Sequence, residues 1–187
     1  KAVLELAEKW NYKPNPISLS LKQSQSMFIG VIVPEFVNSF FSEVIMGIQS
    51  VLNPEGYHVL IMQSNESHEN ELRNMQALEA QMVDGFLISV TQESENTSYF
   101  SDLIRNNFPV VFFNRICAEL SAPHVVIDDY KWAFSAVEHL IRQGCRRIVH
   151  LAGSEDLLIA QKRKSGYMDA LRKYGLPVDE SLIIDCG

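Results

Sequence analysis

From Met27 onward, short apolar runs of strand length alternate with amphipathic stretches of helical length. The runs are rich in β-branched and aromatic residues and lack the polar alternation of half-exposed strands, which is typical of parallel strands buried on both faces. Such an alternation of strands and helices indicates βαβ units. The sequence therefore predicts a doubly wound α/β fold with a parallel sheet, whose strands lie at 27–33, 57–63, 84–89, 109–114, 125–127, 147–151 and 182–185.

Helices are expected in the gaps between these runs. Val44, Ile45 and Ile48 share one face of a predicted helix over 41–53, which Pro54 and Gly56 end. The same spacing predicts further helices at 68–81, 97–107, 130–143 and 163–174. The acidic pair that precedes the helix at 130 is interpreted as an N-cap rather than as a metal site.

The first 26 residues differ from the rest of the chain. Residues 1–10 have helical spacing, and residues 11–26 form a polar linker in which a short helix is predicted from Pro16 to Lys22. This segment holds four lysines and two glutamates, whereas the whole chain carries a net charge of −7. An acidic body argues against nucleic-acid binding over the whole surface, but the basic segment is able to contact phosphates.

Several functional classes are disfavoured by what the sequence lacks. The apolar runs are far shorter than the roughly 20 residues of a membrane span, and no apolar secretory segment opens the sequence. The three cysteines have no disulfide-like or zinc-like spacing, which indicates free thiols and predicts a cytoplasmic protein. Nucleotide-binding glycine motifs and nucleophile motifs are missing, and the histidines have no metal-ligand spacing. We therefore expect no enzymatic activity, no cofactor and no metal.

Ligands of open parallel sheets bind beyond the carboxyl ends of the strands, so residues that follow each strand are candidates for binding. After the first strand come Asn38, Phe40 and Phe41, which place an amide beside flat apolar rings suited to a sugar or a base. The alternative is that the two phenylalanines are core residues of the following helix.

Two other strand ends carry guanidinium groups. Asn114 and Arg115 follow the strand at 109–114, and Arg163 lies near the start of the helix predicted at 163–174. A guanidinium there is able to bind a polar ligand bidentately. The alternatives are a surface salt bridge for Arg115 and a solvated turn for the basic run around Arg163.

The chain divides most naturally after the strand at 125–127. We predict a headpiece end and hinge over 1–26, a first lobe over 27–128 and the start of a second lobe over 129–187. The second lobe has only two predicted strands, and two strands do not make a sheet covered on both faces. The sequence is therefore interpreted as a fragment.

Blocks of sequence along nearly the whole chain carry a family resemblance. They include VLELAEKWNYKPN, IGVIVPEFVNSFFSEVIMGIQ, VDGFLI, PVVFFNR, VVIDDYKWA, AVEHLIRQGCRRIVHLAGS and RKSGYMDALRKYGLPVD. In this order and spacing they resemble the lactose-repressor (LacI/GalR) family of transcription regulators. The match runs from the end of the DNA-binding headpiece into the effector-binding core, and most of the helix-turn-helix is absent.

The resemblance implies a cytoplasmic homodimer, without a membrane anchor, whose type I periplasmic-binding-protein-like core closes on a small effector and alters operator binding. By motif position it implies an effector pocket lined by Asn38, Phe40, Phe41, Asn114, Arg115 and Arg163. It also implies that the hinge helix binds the DNA minor groove, where a leucine opens a base step. The matching DNA-binding residues are Tyr12, Asn15, Leu21 and Lys22.

Departures from the family pattern and two other classes of function bear on this interpretation. Pro16, Ser18 and Leu19 are unusual for the hinge, Asn114 replaces a common acid, and Trp132 replaces a small residue.

A periplasmic-type sugar-binding protein is the alternative that shares the core. A doubly wound sugar kinase or phosphatase needs a nucleotide loop or a nucleophile, and the sequence shows neither. A sugar is the favoured effector.

Overall fold

The structure is a computed structural model that describes residues 2–12, 25–37, 39–92, 96–117 and 119–186. The helices are α1 (Ala2–Lys9), α2 (Ser39–Leu52), α3 (His68–Ala80), α4 (Thr97–Arg105), α5 (Asp129–Arg142) and α6 (Leu158–Lys173). The strands are β1 (Phe28–Val33), β2 (His58–Gln63), β3 (Gly85–Ile88), β4 (Val110–Phe113), β5 (His124–Val125), β6 (His150–Ala152) and β7 (Ile183–Asp185). No helix in these ranges is long and apolar enough to cross a bilayer.

The first five strands form one parallel sheet in the order β2-β1-β3-β4-β5. Successive residues of a strand point to opposite faces. Ile32 therefore joins a core with α3 and α4 on one face, while Val31 and Val33 join a core with α2 on the other. Both faces of the central strands are buried, which confirms the predicted doubly wound α/β class.

The last two strands form a separate parallel pair, β6-β7. Helices α5 and α6 pack against each other and against this pair through a core that contains Val137, Ile148 and Tyr167. Close contact of the two helices depends on Gly166, because a β-carbon there would meet the backbone nitrogen of Phe134 at 2.9 Å.

Several predicted boundaries differ from the structure by one or more residues, and three of these differences lie near the later strands. The strand predicted at 147–151 spans His150–Ala152, because its pairing with β7 begins only at His150. The strand predicted at 125–127 spans His124–Val125, and Val126 and Ile127 leave the sheet. Helix α6 begins at Leu158 rather than at 163. Arg163 therefore lies in the second turn of this helix.

Candidate effector-binding cleft

The turn after β4 places two polar side chains at the carboxyl edge of the sheet. Asn114 has a left-handed backbone conformation, with φ of 58°, which asparagine tolerates better than most residues. Its N–H donates to the carbonyl oxygen of Val125 at 3.0 Å, and the carbonyl oxygen of Arg115 accepts from the N–H of Val90 at 3.3 Å. These bonds to neighbouring strand ends fix the direction in which the chain leaves β4.

Arg115 forms an ion pair with Glu66, which follows β2 at the same edge. Its Nη1 lies 2.8 and 2.9 Å from the two carboxylate oxygens of Glu66, and Oε2 of Glu66 also accepts from the N–H of Gln92 at 2.9 Å. The arginine side chain is 16% exposed and the glutamate 34%. Glu66 therefore links the loops that follow β2, β3 and β4.

Arg163 forms the second ion pair, with Asp129. Its Nε lies 2.7 Å from Oδ1 of Asp129, whose side chain is only 5% exposed, while the arginine side chain is 48% exposed. Asp128 caps α5, since its carboxylate accepts from the N–H of Lys131 at 3.0 Å. The predicted cap is thus confirmed for Asp128, and Asp129 instead connects the start of α5 to α6.

Two adjoining hollows bring these elements together. One has a volume of about 250 Å³ and is lined by Phe40, Asn114 and five apolar residues: Val44, Phe113, Val125, Val126 and Ile127. The other is a narrow crevice lined by Arg115, Asp129, Lys162 and apolar residues, among them the same Val126 and Ile127. The hollows adjoin at these two shared residues, and we call the two hollows together the strand-end cleft.

The predicted effector residues occupy different places around this cleft. Phe40, Asn114 and Arg115 line it, and Arg163 contacts it through Asp129. Phe41 is 2% exposed and packs in the core beneath the edge, with ring centroids 5.2 Å from Phe40 and 6.4 Å from Phe113.

Asn38 and three of the four predicted DNA-binding residues, Asn15, Leu21 and Lys22, lie outside the described residues. Tyr12, the fourth, is 66% exposed just after α1. These DNA contacts and the predicted hinge helix at 16–22 therefore stay predictions, as does the division of the chain after residue 128.

Two titratable groups, Cys117 and His150, favour their neutral forms. Burial, followed by the charges of Glu71 and Glu119, raises the pKa of Cys117 to about 12, which disfavours the thiolate at neutral pH. Burial, followed by the charges of Lys164 and Arg163, lowers the pKa of His150. No cluster of metal-ligating side chains occurs in the part of the chain that the structure describes. The arrangement offers hydrogen-bonding groups and apolar faces for binding.

Sequence reasoning missed both carboxylates. Glu66 follows the predicted strand at 57–63, so the rule that points to strand ends also reaches it. Its pairing with a residue 49 positions away has no local signal. The sequence favours a cap role for Asp129, and its pairing depends on α6 beginning five residues before the predicted start.

Comparison with known proteins identifies the family. Residues 26–187 match the family model described as periplasmic binding proteins and sugar binding domain of LacI family. The chain belongs to this family. The resemblance to the LacI family and the type I periplasmic-binding-protein-like fold are thus confirmed.

Individual relatives of this LacI-family chain are transcription regulators. It is 34% identical to the HTH-type transcriptional repressor CytR of Escherichia coli K12, over 97% of the chain and 52% of the relative. A putative ribose operon repressor from Burkholderia thailandensis superposes with a TM-score of 0.80 at 29% identity, covering 86% of this chain and 61% of the other. A periplasmic binding protein/LacI transcriptional regulator from Alkaliphilus metalliredigens, complexed with D-xylulofuranose, superposes with a TM-score of 0.74 at 25% identity, covering 85% and 56%. The chain spans about half the length of the curated relatives it matches.

Proposed function

We propose that this chain is the effector-binding core of a DNA-binding transcription regulator, a repressor, and that its strand-end cleft binds a small polar effector, a sugar. The observation that carries the proposal is the meeting of Phe40, Asn114, Arg115 and the Asp129–Arg163 pair around one cleft. Repressors among its relatives and a family structure with a bound sugar support the same conclusion.

The chemistry of the cleft suits a polyhydroxylated ligand. Sugar hydroxyls both donate and accept, so they pair with the Asn114 amide, with guanidinium N–H groups and with carboxylates. The Phe40 ring supplies an apolar face for sugar C–H groups, and Phe41 supports that ring from the core. A sugar replaces water in the cleft only if its hydroxyls form hydrogen bonds with these groups, since a buried polar group left without a partner costs free energy.

Effector binding changes DNA binding only if the effector prefers one conformation of the protein. A ligand held by Arg115 on one side and by Arg163 on the other draws the five-stranded sheet and the α5–α6 pair together. We propose that this closure is the two-state element that couples the cleft to operator DNA. Tyr12, Asn15, Leu21 and Lys22 belong to the DNA-contacting side of the proposal, and the complete protein acts as a cytoplasmic homodimer on a palindromic site.

Thermal-shift measurements with a panel of sugars test the cleft directly. A binding sugar at 100 times its Kd is expected to stabilise the protein by about 2.7 kcal/mol. Arg163→Ala is expected to abolish the shift. Arg172→Ala is the matched control, since Arg172 lies on the same helix in an exposed pair with Asp169. A shift of equal size in Arg163→Ala contradicts the assignment of the cleft.

The DNA-binding part is tested with the full-length protein. Footprinting on the region upstream of its own gene is expected to show protection that weakens with salt and changes when the effector is added. Complete absence of protection contradicts the regulator proposal.

A further inference from the structure

Both guanidinium groups of the strand-end cleft are already neutralised by carboxylates of the same chain. Arg115 uses Nη1 for both oxygens of Glu66, and Arg163 uses Nε for Asp129. The two pairs together carry no net charge. Lys162 also lines the crevice, but its side chain is exposed to solvent, where its charge is screened.

Glu66 is held firmly in this position. Its second carboxylate oxygen also accepts from the N–H of Gln92, so the side chain is fixed from two loops at once. Asn65 and Glu66 both have left-handed backbone conformations, with φ of 55° and 56°. Two adjacent residues of this kind define a turn that points one carboxylate at Arg115, and conformations that L-residues rarely adopt persist only where surrounding contacts maintain them.

This arrangement discriminates between ligands by charge. A phosphate ester bound by Arg115 has to lie beside the Glu66 carboxylate, and like charges a few ångströms apart repel in a partly buried site. A neutral hydroxyl meets no such penalty, because it is able to donate to a carboxylate oxygen and accept from a guanidinium.

From this geometry we infer that Glu66 is a specificity-determining residue that makes the cleft select uncharged polyhydroxylated effectors and reject their phosphate esters. The inference rests on the proposed effector-binding function and names the class of ligand. Asp129 has the same effect at Arg163.

Inorganic phosphate tests the inference without knowledge of the effector. Calorimetric titration at constant ionic strength is expected to show no saturable phosphate binding to the wild-type protein. Glu66→Gln keeps the size of the side chain and removes its charge, so it is expected to bind phosphate at least tenfold more tightly than wild type. The double variant Glu66→Gln/Arg115→Ala is expected to lose that gain. Glu69→Gln, which removes a carboxylate from an exposed pair with Arg73, is the matched control and is expected to behave as wild type.

Two results overturn the inference. One is saturable phosphate binding to the wild-type protein that disappears in Arg115→Ala. The other is Glu66→Gln binding phosphate no better than wild type. Asp129→Asn repeats the measurement at the second pair, with a gain that depends on Arg163, so the test does not depend on one variant folding.

Matched sugars separate this inference from the proposed function. Thermal shifts of the wild-type protein are compared for fructose with fructose 1-phosphate and for ribose with ribose 5-phosphate. A neutral sugar that stabilises more than its phosphate supports the inference. A phosphate ester that stabilises more overturns it and leaves effector binding intact. If no sugar or phosphate ester stabilises the protein, the proposed sugar effector loses its support, and the phosphate titration still decides the question of charge.

Discussion

The two sheets of this chain are buried to very different degrees. In the five-stranded sheet, Val31, Ile32 and Val33 have no exposed surface, and helices cover both faces of the central strands. In the β6-β7 pair, described residues cover one face, while Leu151 is 69% exposed and Ile184 47%. In this chain, which spans about half the length of its relatives, the first wall of the cleft is the edge of a sheet with helices on both faces, whereas the second wall, formed by α5, α6 and β6-β7, depends on the packing of α5 against α6.

The two arginines of the cleft lie on these two walls. Arg115 is anchored at the edge of the five-stranded sheet by Glu66, and Arg163 lies on α6, where it pairs with Asp129 of α5. In the proposed closure, a ligand held between the two arginines brings the two walls closer together.

The largest contrast is expected from truncating one apolar side chain in each sheet. Phe86 is 2% exposed in the main core, so Phe86→Ala is expected to lower the free energy of unfolding by about 3–5 kcal/mol. In this chain, Leu151→Ala is expected to cost less than about 1 kcal/mol because Leu151 is 69% exposed. Urea unfolding of both variants measures the difference. Equal losses would remove the distinction between the two sheets.

A substitution at the contact of α5 and α6 tests what holds the second wall together. Gly166→Ala places a methyl group against the backbone of α5 and is expected to cost about 1–3 kcal/mol. Gly47 lies in α2 with nothing near its missing side chain, so Gly47→Ala is expected to stabilise by about 0.5–1 kcal/mol. Thermal unfolding compares the two. A neutral Gly166→Ala would show that the helices are able to separate without loss.

A single hydrogen bond from α6 also stabilises the second wall, and its removal is expected to lower the free energy of unfolding by less. The buried hydroxyl of Tyr167 donates to the carbonyl oxygen of Ile148 at 2.9 Å. Tyr167→Phe keeps the ring and removes the donor, with an expected loss of about 1 kcal/mol in urea unfolding. Hydrogen exchange is expected to rise in α6 and β6 and to stay unchanged in β1. An equal increase in β1 would show that the two sheets open together.

The smallest effect concerns pH. Glu138 of α5 accepts hydrogen bonds from Lys173 and Tyr174 at the end of α6. These bonds, first that of Lys173 and then that of Tyr174, lower the pKa of Glu138 below its ordinary value of 4.5. Because the folded-state pKa is depressed, the stabilisation is present above pH 4.5 and is lost as pH falls through the folded-state value. Glu138→Gln is therefore expected to flatten the fall in stability below pH 4.5, as measured by urea unfolding between pH 7 and 3. Lys173→Met is expected to flatten it as well, and an unchanged slope in both contradicts the pairing.

Most of the fold was predictable because buried strands carry a strong local signal. The runs at 27–33 and 57–63 became β1 and β2 within one residue at each end. The strand predictions at 125–127 and 147–151 were less accurate, because β-branched residues there have roles other than strand pairing. Ile127 borders the cleft, and Ile148 packs on α6. A local pattern does not reveal whether an apolar residue pairs with a strand or fills a hollow.

The candidate site was predictable only in part. The strand-end rule located Asn114 and Arg115, since parallel strands end at one edge. The burial of Phe41 beneath Phe40 depends on the helix phase relative to Phe113, which adjacent aromatic residues do not specify. The carboxylate partners of the guanidinium groups come from other elements, the loop after β2 and the start of α5, so only the assembled structure shows that the charges are matched.

A crystal structure of the protein with a sugar that stabilises it in the thermal-shift panel tests the central claim most directly. The account predicts ligand density in the strand-end cleft, with hydroxyls within hydrogen-bond distance of Asn114, Arg115 and Arg163. Density at any other surface, with the cleft empty and both ion pairs unchanged, would contradict it.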